Sequence, residues 1–273
     1  MVPCRSPTTP MTIYKNIQGV PQFQFEEFYP KSTRYCILIP VINEGERIQN
    51  ELRTAQQHGI GMVADIILCD GGSTDGSTAP ELLRSLGSNS LLIKQDTGKQ
   101  GAQLRMGFWW ALQRGYDGFI TVDGNNKDSI EDIPKFIEKL DEGYDFVQGS
   151  RYLKGGQGIN TPLARHIAVR WLHAPIISLT ARHRFTDTTN AYRAYSKKYI
   201  THPAVQPFRD IFFSYELLAY LSVRASQLGL SVCEIPVTRT YPKGEKTPTK
   251  ITLKGCSQLL NILFDNWRGK FSP

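Results

Sequence analysis

Acidic and amide side chains crowd into the turn 123–128, Asp-Gly-Asn-Asn-Lys-Asp, which directly follows the apolar run 118–122. Asp123 and Asn125 stand two residues apart and can present two oxygens to one cation. Mg²⁺ and Mn²⁺ prefer such oxygen ligands and keep coordination places for phosphate groups. The same residue types also form ordinary turns for reasons of backbone conformation alone. The stretch is therefore a candidate metal site, with a plain turn as the alternative interpretation.

Another acid, Asp70, ends the apolar run 63–69 and opens the sequence Asp-Gly-Gly-Ser-Thr-Asp-Gly-Ser. A carboxylate in a glycine-rich turn can accept hydrogen bonds from the hydroxyl groups of a ribose or from the N–H of a base. The stretch is neither the phosphate-binding loop Gly-x-x-x-x-Gly-Lys-Ser/Thr nor the pattern Gly-x-Gly-x-x-Gly. A nucleotide-binding turn and a plain Asp-Gly turn therefore explain it equally well.

Positive charge is concentrated in the second half of the chain. Residues 1–150 contain 14 Lys and Arg against 19 Asp and Glu, a balance of −5, whereas residues 151–273 contain 18 against 6, a balance of +12. Between Arg151 and Arg209 ten basic residues accompany one acid, Asp187. Basic residues also solvate ordinary surfaces, but this ratio and the fit of guanidinium groups to phosphate favour an anionic partner. A nucleic acid is not predicted, since the overall basic charge alone would support it.

Short apolar runs alternate with segments of helical periodicity through the first 150 residues. Strands are predicted at 34–40, 63–70, 90–95, 118–123 and 144–150. The alternation is typical of β-α-β units and predicts an α/β fold, in which helices cover both faces of a mostly parallel sheet. Functional groups in such sheets gather beyond the carboxyl ends of the strands. Asn43-Glu44, Asp70, Asp123 and Ser150-Arg151 follow predicted strands, so we expect them at one edge of the sheet.

The alternation ends after residue 150. Helices are predicted at 161–181, with an irregular middle at Pro175, and at 214–229, and a strand at 230–241. After a polar loop, an amphipathic helix closes the chain, with an apolar stripe of residues spaced by four, Leu259, Leu263 and Trp267. The stripe can rest on a membrane surface or pack on the domain. No segment approaches the ~20 apolar residues of a membrane-spanning helix, and the five cysteines, which include no Cys-x-x-Cys pair, are typical of a reducing compartment.

Six stretches occur in the order and spacing of a known family: IPVINE (39–44), CDGGSTDGS (69–77), GKQGAQLRMGF (98–108), VDGNN (122–126), QGSRYLKGG (148–156) and DTTNAYRAYS (187–196). From about Tyr35 to Tyr241 the chain resembles family 2 glycosyltransferases, in particular the synthases of dolichol- and polyprenyl-phosphate sugars. The resemblance implies a GT-A (Rossmann-like) fold over 34–242, a UDP- or GDP-sugar as donor, and Mg²⁺ or Mn²⁺ as cofactor. Residues 1–33 are then an N-terminal arm, and residues 243–273 a mobile loop followed by the amphipathic helix.

The resemblance also implies roles for individual residues. The residues that it places around the nucleotide are Pro40, Asn43, Glu44, Asp70, Lys99 and Gly101. Asp123 matches the first acid of the family's Asp-x-Asp motif; the second acid is Asn125 here, so we expect a cation that binds weakly or mainly through the donor diphosphate. Arg151 and Arg165 match arginines at the donor and acceptor phosphates. Asn190 and Arg193 fall where the family meets its acceptor, although Asn190-Ala191 departs from the family's Ser-Gly.

The reaction expected from the resemblance is transfer of a sugar, with inversion at C1, to a polyprenyl-phosphate-type acceptor. A lipid phosphate is already anionic and needs no general base, whereas a hydroxyl acceptor needs one, with Asp187 or Glu216 as candidates. One alternative is transfer to a hydroxyl of a saccharide, small molecule or protein. Another is a non-catalytic protein that binds nucleotide sugars or anionic lipids. We expect the protein in the cytoplasm or at the inner face of a membrane.

Overall fold

The computed structural model describes residues 12–15, 17–242 and 253–273. The strands are β1 (Thr12–Tyr14), β2 (Phe23–Glu27), β3 (Tyr35–Val41), β4 (Asp65–Asp70), β5 (Ser90–Lys94), β6 (Gly118–Thr121), β7 (Phe146–Ser150), β8 (Gln157–Ile159), β9 (Arg193–Ser196), β10 (Val232–Pro236) and β11 (Thr238–Thr240). The α-helices are α1 (Glu46–Gln57), α2 (Pro80–Ser85), α3 (Gln100–Gln113), α4 (Ile133–Asp141), α5 (Leu163–Ala168), α6 (Ala174–Ala181), α7 (Lys197–Ile200), α8 (Glu216–Gln227) and α9 (Leu253–Trp267).

The main sheet has the strand order β1-β2-β5-β4-β3-β6-β9-β7-β10. β5, β4, β3 and β6 run parallel, as do β7 and β10, while β2 and β9 are antiparallel to their neighbours. α3 and α8 pack on one face through residues such as Leu104 and Leu217. α1 and α4 pack on the other through residues such as Leu52 and Phe136. The prediction of a mostly parallel α/β sheet with helices on both faces is confirmed.

The described part of the predicted N-terminal arm belongs to this sheet. β2 pairs antiparallel with β5, and β1 pairs with β2. Phe23 and Phe25 are buried in the core and alternate with the partly exposed Gln24 and Glu26, which is the period-two pattern of a strand with one buried face. The prediction of an arm over 1–33 is therefore wrong for these strands. The alternation spans only five residues at a sheet edge, too short a signal to stand out from a polar terminus.

The predicted helix over 161–181 forms as two helices joined by a π-helical turn, Val169–His173. Pro175 lies in the first turn of α6, where its missing N–H is tolerated, and the irregular turn comes just before it. In the part of the chain that the structure describes, no helix combines the length and the hydropathy needed to span a bilayer. The polar loop predicted before the last helix lies outside the described residues, except for its first position.

The closing helix α9 packs against α6 and α8. Leu263 is 3% exposed, and the buried side chain of Asn266 donates to the carbonyl of Ala219 at 2.9 Å. Phe264 and Trp267 remain about half exposed. The middle residue of the predicted apolar stripe thus packs on the domain, as the second of the two interpretations expects.

Candidate functional site

The loops that follow β3 and β4 are bonded to each other at the carboxyl edge of the sheet. The backbone N–H of Asn43 donates to Ser73 Oγ at 3.0 Å, and the Asn43 side chain accepts from the N–H of Thr74 at 2.8 Å. Gly45 N–H donates to the Asp75 carboxylate at 3.0 Å. The two loops therefore form one polar ledge, which contains the predicted nucleotide residues Asn43 and Asp70.

Asp70 holds the shape of this ledge from inside. It is 1% exposed. One carboxylate oxygen accepts from Gly72 N–H, Ser73 N–H and Ser73 Oγ at 2.7–3.0 Å, and the other accepts from Thr78 Oγ at 2.9 Å. A carboxylate so occupied orients its own loop, so the structure does not support the predicted direct contact of Asp70 with the nucleoside.

The remaining predicted nucleotide residues surround the start of α3 and the end of β3. Pro40 is partly exposed in β3, and Glu44, whose side chain is 10% exposed, pairs with Arg47 at 2.9 Å. Lys99 is exposed just before α3. Gly101 is buried, and a Cβ there would lie 2.6 Å from the carbonyl oxygens of Phe212 and Ser214. Gly101 therefore allows the 212–214 loop to pack on α3, a different role from the predicted contact with the nucleotide.

Two amides of α3 that sequence reasoning did not single out organise this edge. Gln103 is buried and donates to the carbonyls of Val41 and Cys69, both at 2.7 Å, at the ends of β3 and β4. Gln100 donates to Asp123 Oδ1 at 2.9 Å. The signal in the sequence is a pair of amides in a helix whose other residues are mostly apolar, because buried amides need partners.

The acidic turn stands against β3 because Gly124 has no side chain. A Cβ at Gly124 would lie 2.5 Å from Val41 Cγ1, closer than side chains pack. The turn is tied to β11 by the N–H of Thr240, which donates to the Lys127 carbonyl at 2.7 Å, and by the N–H of Ser129, which donates to the carbonyl of Thr238 at 3.1 Å. Contacts with β3 and β11, both distant in sequence, therefore fix the position of the turn that carries Asp123.

Asp123 is held by a neutral amide, that of Gln100, and by a charged guanidinium group, that of Arg239. Its Oδ2 pairs with Arg239 Nη2 at 3.2 Å, and its side chain stays 22% exposed. Arg239 is buried and also pairs with the buried Asp128. Beneath the turn, the fully buried Glu51 accepts from the N–H of Asn126 at 2.9 Å, and burial raises the pKa of Glu51 well above its usual range. These contacts preorganise the turn before any ligand binds.

The residues of the turn fit a cation that is shared with a diphosphate. Asn125 Oδ1 is buried and has no hydrogen-bond partner among the described residues. An amide oxygen without a partner beside a partly exposed carboxylate supplies two hard oxygen ligands. Across the described residues, no three His, Cys, Asp or Glu side chains lie together so as to hold a metal by themselves. Mg²⁺ is commonly held by one or two protein oxygens and completed by substrate phosphates.

Four cations converge on Tyr241, which is 1% exposed. Arg165 and Arg151 donate to the Tyr241 hydroxyl at 3.0 and 3.3 Å. The guanidinium of Arg239 and the ammonium of Lys127 lie 5.8 and 5.5 Å from the centre of its ring. Burial opposes ionisation of the Tyr241 hydroxyl, but the nearby guanidinium groups outweigh it and lower its pKa. We call these four cations and Tyr241 the basic cluster; it lies directly beside the acidic turn.

Arg151 is locked to Asp187 in a buried bidentate pair, with Nε–Oδ2 2.6 Å and Nη2–Oδ1 2.9 Å. Burial alone would raise the pKa of Asp187, but Arg151 holds the pKa of that carboxyl below its usual range. A buried carboxylate that is paired and ionised is a poor proton acceptor for a substrate, so the structure contradicts Asp187 as a general base. Behind the pair, Glu234 accepts from the N–H groups of Thr186 and Asp187 at 2.9–3.1 Å.

The predicted acceptor residues separate into two sets. Arg165 is half-buried and reaches the basic cluster. Arg193 is 2% exposed, and its guanidinium group donates to the carbonyls of Asn190, Leu218 and Thr188 and to the Ser222 hydroxyl. Asn190 is also buried. Arg193 ties the loop before β9 to α8, whereas the Asn190 side chain accepts from the N–H of Tyr192 at 2.8 Å. Both are buried and do not face an acceptor, which contradicts the predicted contact.

Glu216 opens α8 and accepts from the N–H of Ser214. Its neighbour Tyr215 stands close enough to Asp123 and Arg165 to feel their charges: burial raises the pKa of the Tyr215 hydroxyl, Asp123 adds to this and Arg165 opposes it. The start of α8 therefore borders the site. Glu216 is half-buried there, and its role as a general base stays a prediction.

Sequence reasoning missed Arg239 and Tyr241, which complete the basic cluster. Val237 separates β10 from β11. Arg239 and Tyr241 therefore follow the end of a strand of the main sheet, as the other site residues do. A usable signal is their period-two spacing in VTRTY, which turns both side chains to one side. The exposed Thr240 between them supports this.

The chain is similar in sequence to known glycosyltransferases. Residues 36–208 match the profile of Glycosyl transferase family 2. The chain is 28% identical over 218 residues to a polyprenol monophosphomannose synthase of Mycolicibacterium smegmatis, which covers 76% of this chain and 77% of the relative. It is 26% identical over 210 residues to an undecaprenyl-phosphate mannosyltransferase of Micrococcus luteus, which covers 75% of this chain and 83% of the relative.

Solved structures support the fold. A glucosyl-3-phosphoglycerate synthase from Mycobacterium tuberculosis, in complex with Mn²⁺, uridine diphosphate and glucosyl-3-phosphoglycerate, superposes with a TM-score of 0.60 at 14% identity, over 87% of this chain and 79% of that one. Such low identity supports the fold alone. Because the family profile matches well over half of the sequence, the chain belongs to glycosyl transferase family 2 and is a glycosyltransferase with the GT-A fold.

Proposed function

We propose that the protein transfers a sugar, with inversion, from a UDP- or GDP-sugar to a polyprenyl phosphate. The observation that carries the proposal is the basic cluster beside the acidic turn. The half-buried Arg165 can reach a phosphate oxygen directly. The buried, paired Arg151 and Arg239 add positive charge next to the place where the donor diphosphate would bind. The names of relatives that match three quarters of the chain include polyprenol and undecaprenyl-phosphate sugar transferases, which supports the same acceptor.

The carboxylates of the site favour an acceptor that needs no base. Asp187 is paired with Arg151, and Asp128 with Arg239. An attacking hydroxyl must lose a proton, whereas a phosphate monoester is already anionic at neutral pH. Glu216 remains as the one predicted base that the structure leaves half-buried at the site border. The proposal therefore assigns the nucleophile to a phosphate oxygen, and a hydroxyl acceptor that relies on Glu216 is the competing outcome of the tests.

Asp123 and Asn125 would hold Mg²⁺ or Mn²⁺ together with the donor diphosphate. When bound, such a cation neutralises charge on the departing diphosphate. Solved neighbours of the same fold carry Mn²⁺ or Mg²⁺ with uridine diphosphate. Gln100 and Arg239 keep the Asp123 carboxylate oriented. The ledge of Asn43 and Ser73 offers hydrogen-bonding groups to the nucleoside, and Arg165 orients the acceptor phosphate.

A labelled-donor screen tests the proposal. The full chain is incubated with each radiolabelled UDP- or GDP-sugar, Mn²⁺ or Mg²⁺, and a short-chain polyprenyl phosphate, and label is measured in the organic phase. We expect label to appear there with one donor and to require the metal. Label transferred only to water-soluble hydroxyl acceptors would assign the protein to the other transferase class. Nucleotide-sugar binding without any turnover would identify a non-catalytic binding protein.

A further inference from the structure

One side of the interrupted helix over 163–181 is apolar and open to solvent. Its exposed apolar residues recur every four positions and are Leu163, Ile167, Trp171, Pro175 and Leu179. Trp171 is 78% exposed and Leu179 72%. In a regular α-helix this spacing drifts around the axis, because a turn holds 3.6 residues. The wider π-helical turn, Val169–His173, offsets part of that drift, so the five side chains form one continuous apolar ridge.

Such a ridge needs a partner. Exposed apolar residues that are scattered singly are ordinary, whereas contiguous ones mark interaction surfaces. A tryptophan among leucine and isoleucine on one helix face is typical of helices that lie in the plane of a membrane interface.

The surroundings of the ridge are positively charged. Arg170, Arg182 and Arg184 are all exposed. The one acid between Arg151 and Arg209, Asp187, is buried and neutralised by its pair with Arg151. The charge beside the ridge is therefore complementary to an anionic surface.

A cavity of about 390 Å³ adjoins the ridge. Arg170, Arg184, Ser178 and Pro175 line it, and so does Tyr152, whose hydroxyl is buried without a hydrogen-bond partner among the described residues. Two guanidinium groups and the unpartnered tyrosine hydroxyl suit the phosphate of a headgroup. Pro175 belongs to both the ridge and the cavity, so the apolar and anion-binding features are continuous.

We propose that the apolar ridge and this arginine-lined cavity form a docking surface for a bilayer that contains anionic phospholipid. The ridge enters the boundary between headgroups and acyl chains, and Arg170 and Arg184 bind a headgroup phosphate. The proposal places the membrane contact on α5 and α6. The sequence pattern alone suggests the last helix instead.

Docking in this orientation would explain how a membrane-embedded acceptor reaches the site, and this part of the proposal rests on the proposed function. Arg165 stands on α5, between Leu163 and Ile167 of the ridge, but turns inward to Tyr241 at 3.0 Å. A membrane against the ridge therefore brings the phosphate of a membrane-embedded acceptor to Arg165, while its hydrocarbon chain stays in the bilayer.

Co-sedimentation with vesicles tests the surface without any acceptor. Vesicles of phosphatidylcholine and phosphatidylglycerol in equal parts are compared with vesicles of phosphatidylcholine alone. We expect the wild-type chain to bind the mixed vesicles and to lose most of this binding in high salt. The double variant Trp171→Ser, Leu179→Ser should bind about tenfold more weakly. Met62→Ser is the matched control, because Met62 is 84% exposed on another element, and its binding should be unchanged.

A second variant separates the two parts of the surface. Arg170→Gln with Arg184→Gln should bind both kinds of vesicle equally weakly, because the ridge remains and the preference for anionic lipid is lost. Equal binding by wild type and the double serine variant would overturn the proposal. So would sedimentation velocity that shows a wild-type dimer, a monomeric serine variant and no binding to vesicles, since a second copy of the chain would then cover the ridge.

Transfer to a short-chain, water-soluble isoprenyl phosphate distinguishes this proposal from the proposed function. The double serine variant should retain wild-type activity on that acceptor. Transfer by a chain that ignores vesicles would refute the docking surface and leave the function standing. Vesicle binding by a chain that transfers to no phosphate acceptor would refute the function and leave the surface standing.

Discussion

Asp123 is held on one side by the amide of Gln100 and on the other by the guanidinium of Arg239, yet keeps about a fifth of its side chain exposed. Arg239 also has Asp128 as a partner. When Asp123 turns its charge toward a cation, Arg239 therefore stays neutralised by Asp128. The side chain is oriented in advance and remains available, which is what a ligand to a weakly held cation requires.

Asp123→Ala is expected to reduce transfer by about a hundredfold or more, because the charge that positions the cation is lost. The melting temperature should change little, since Asp128 still pairs with Arg239. Asn125→Asp should keep or tighten Mn²⁺ binding, measured by calorimetry with a nucleoside diphosphate present. Glu81→Ala removes an exposed acid on α2 and serves as the control. Near-normal transfer by Asp123→Ala would show that the turn holds no essential metal.

Asp70→Ala should weaken binding of the free nucleoside diphosphate by about 1–3 kcal/mol, the usual cost of leaving hydrogen-bond donors unpaired. The structure assigns this loss to the loop, since Asp70 orders Ser73 and Thr78. The melting temperature should therefore fall as well. Calorimetry with uridine and guanosine diphosphates measures the affinity. An unchanged affinity in a destabilised variant would remove the 70–78 loop from the nucleotide site.

Glu234 gives stability a dependence on pH. Burial raises the pKa of its carboxyl from 4.5 to about 7 in the folded chain. The folded state thus binds the proton more tightly, so the contribution of Glu234 is complete below pH 4.5 and is lost as the pH rises toward about 7. Glu234→Gln should flatten the fall in melting temperature across this window, measured by thermal unfolding in a series of buffers. A slope identical to wild type would contradict the assignment.

At the scale of elements, parallel strands that are buried on both faces could be predicted from the sequence. β3 and β4 read as continuous apolar runs that end in polar residues, so both the strands and the sheet edge follow from one pattern. β9 could not be predicted in this way. Its four residues, Arg193–Ser196, lie antiparallel between β6 and β7 and bury an arginine. Its place depends on contacts distant in sequence.

The candidate site shows the same division. Residues directly after strands, such as Asn43, Asp123 and Arg151, could be predicted to lie at the edge. Whether each side chain faces a ligand could not be predicted. Asp70, Asp187 and Arg193 are as polar as residues that contact a ligand, but they are bonded to partners inside the protein. Satisfaction of buried polar groups is a property of the folded arrangement.

The packing of α9 is tested by two adjacent residues. Leu263→Ala should lower the free energy of unfolding by about 2–3 kcal/mol, because it leaves a cavity between α9 and the core. Phe264→Ala should cost less than about 1 kcal/mol, because Phe264 is 49% exposed. Urea unfolding of both variants gives the comparison. Equal losses, or the greater loss at Phe264, would mean that α9 does not pack as described.

At the scale of the whole molecule, charge is divided to match the two substrates. The half with a balance of −5 carries the acidic turn and the nucleotide ledge, and the half with +12 carries Arg151, Arg165, Arg239 and the arginines near the apolar ridge. The acidic turn of the first half is hydrogen-bonded to β11 of the second half. A donor that arrives with its cation and an acceptor that arrives as a phosphate from a membrane are therefore met by opposite fields.

A lipid phosphate is the proposed nucleophile, and a matched pair of acceptors distinguishes it from a hydroxyl group. Initial rates are measured with a polyprenyl phosphate and with the polyprenol of the same chain length, for wild type and Arg165→Ala. We predict transfer to the phosphate, background rates with the alcohol, and a KM for the phosphate about tenfold higher in Arg165→Ala at unchanged donor affinity. Equal transfer to the alcohol, with no effect of Arg165→Ala, would contradict this prediction.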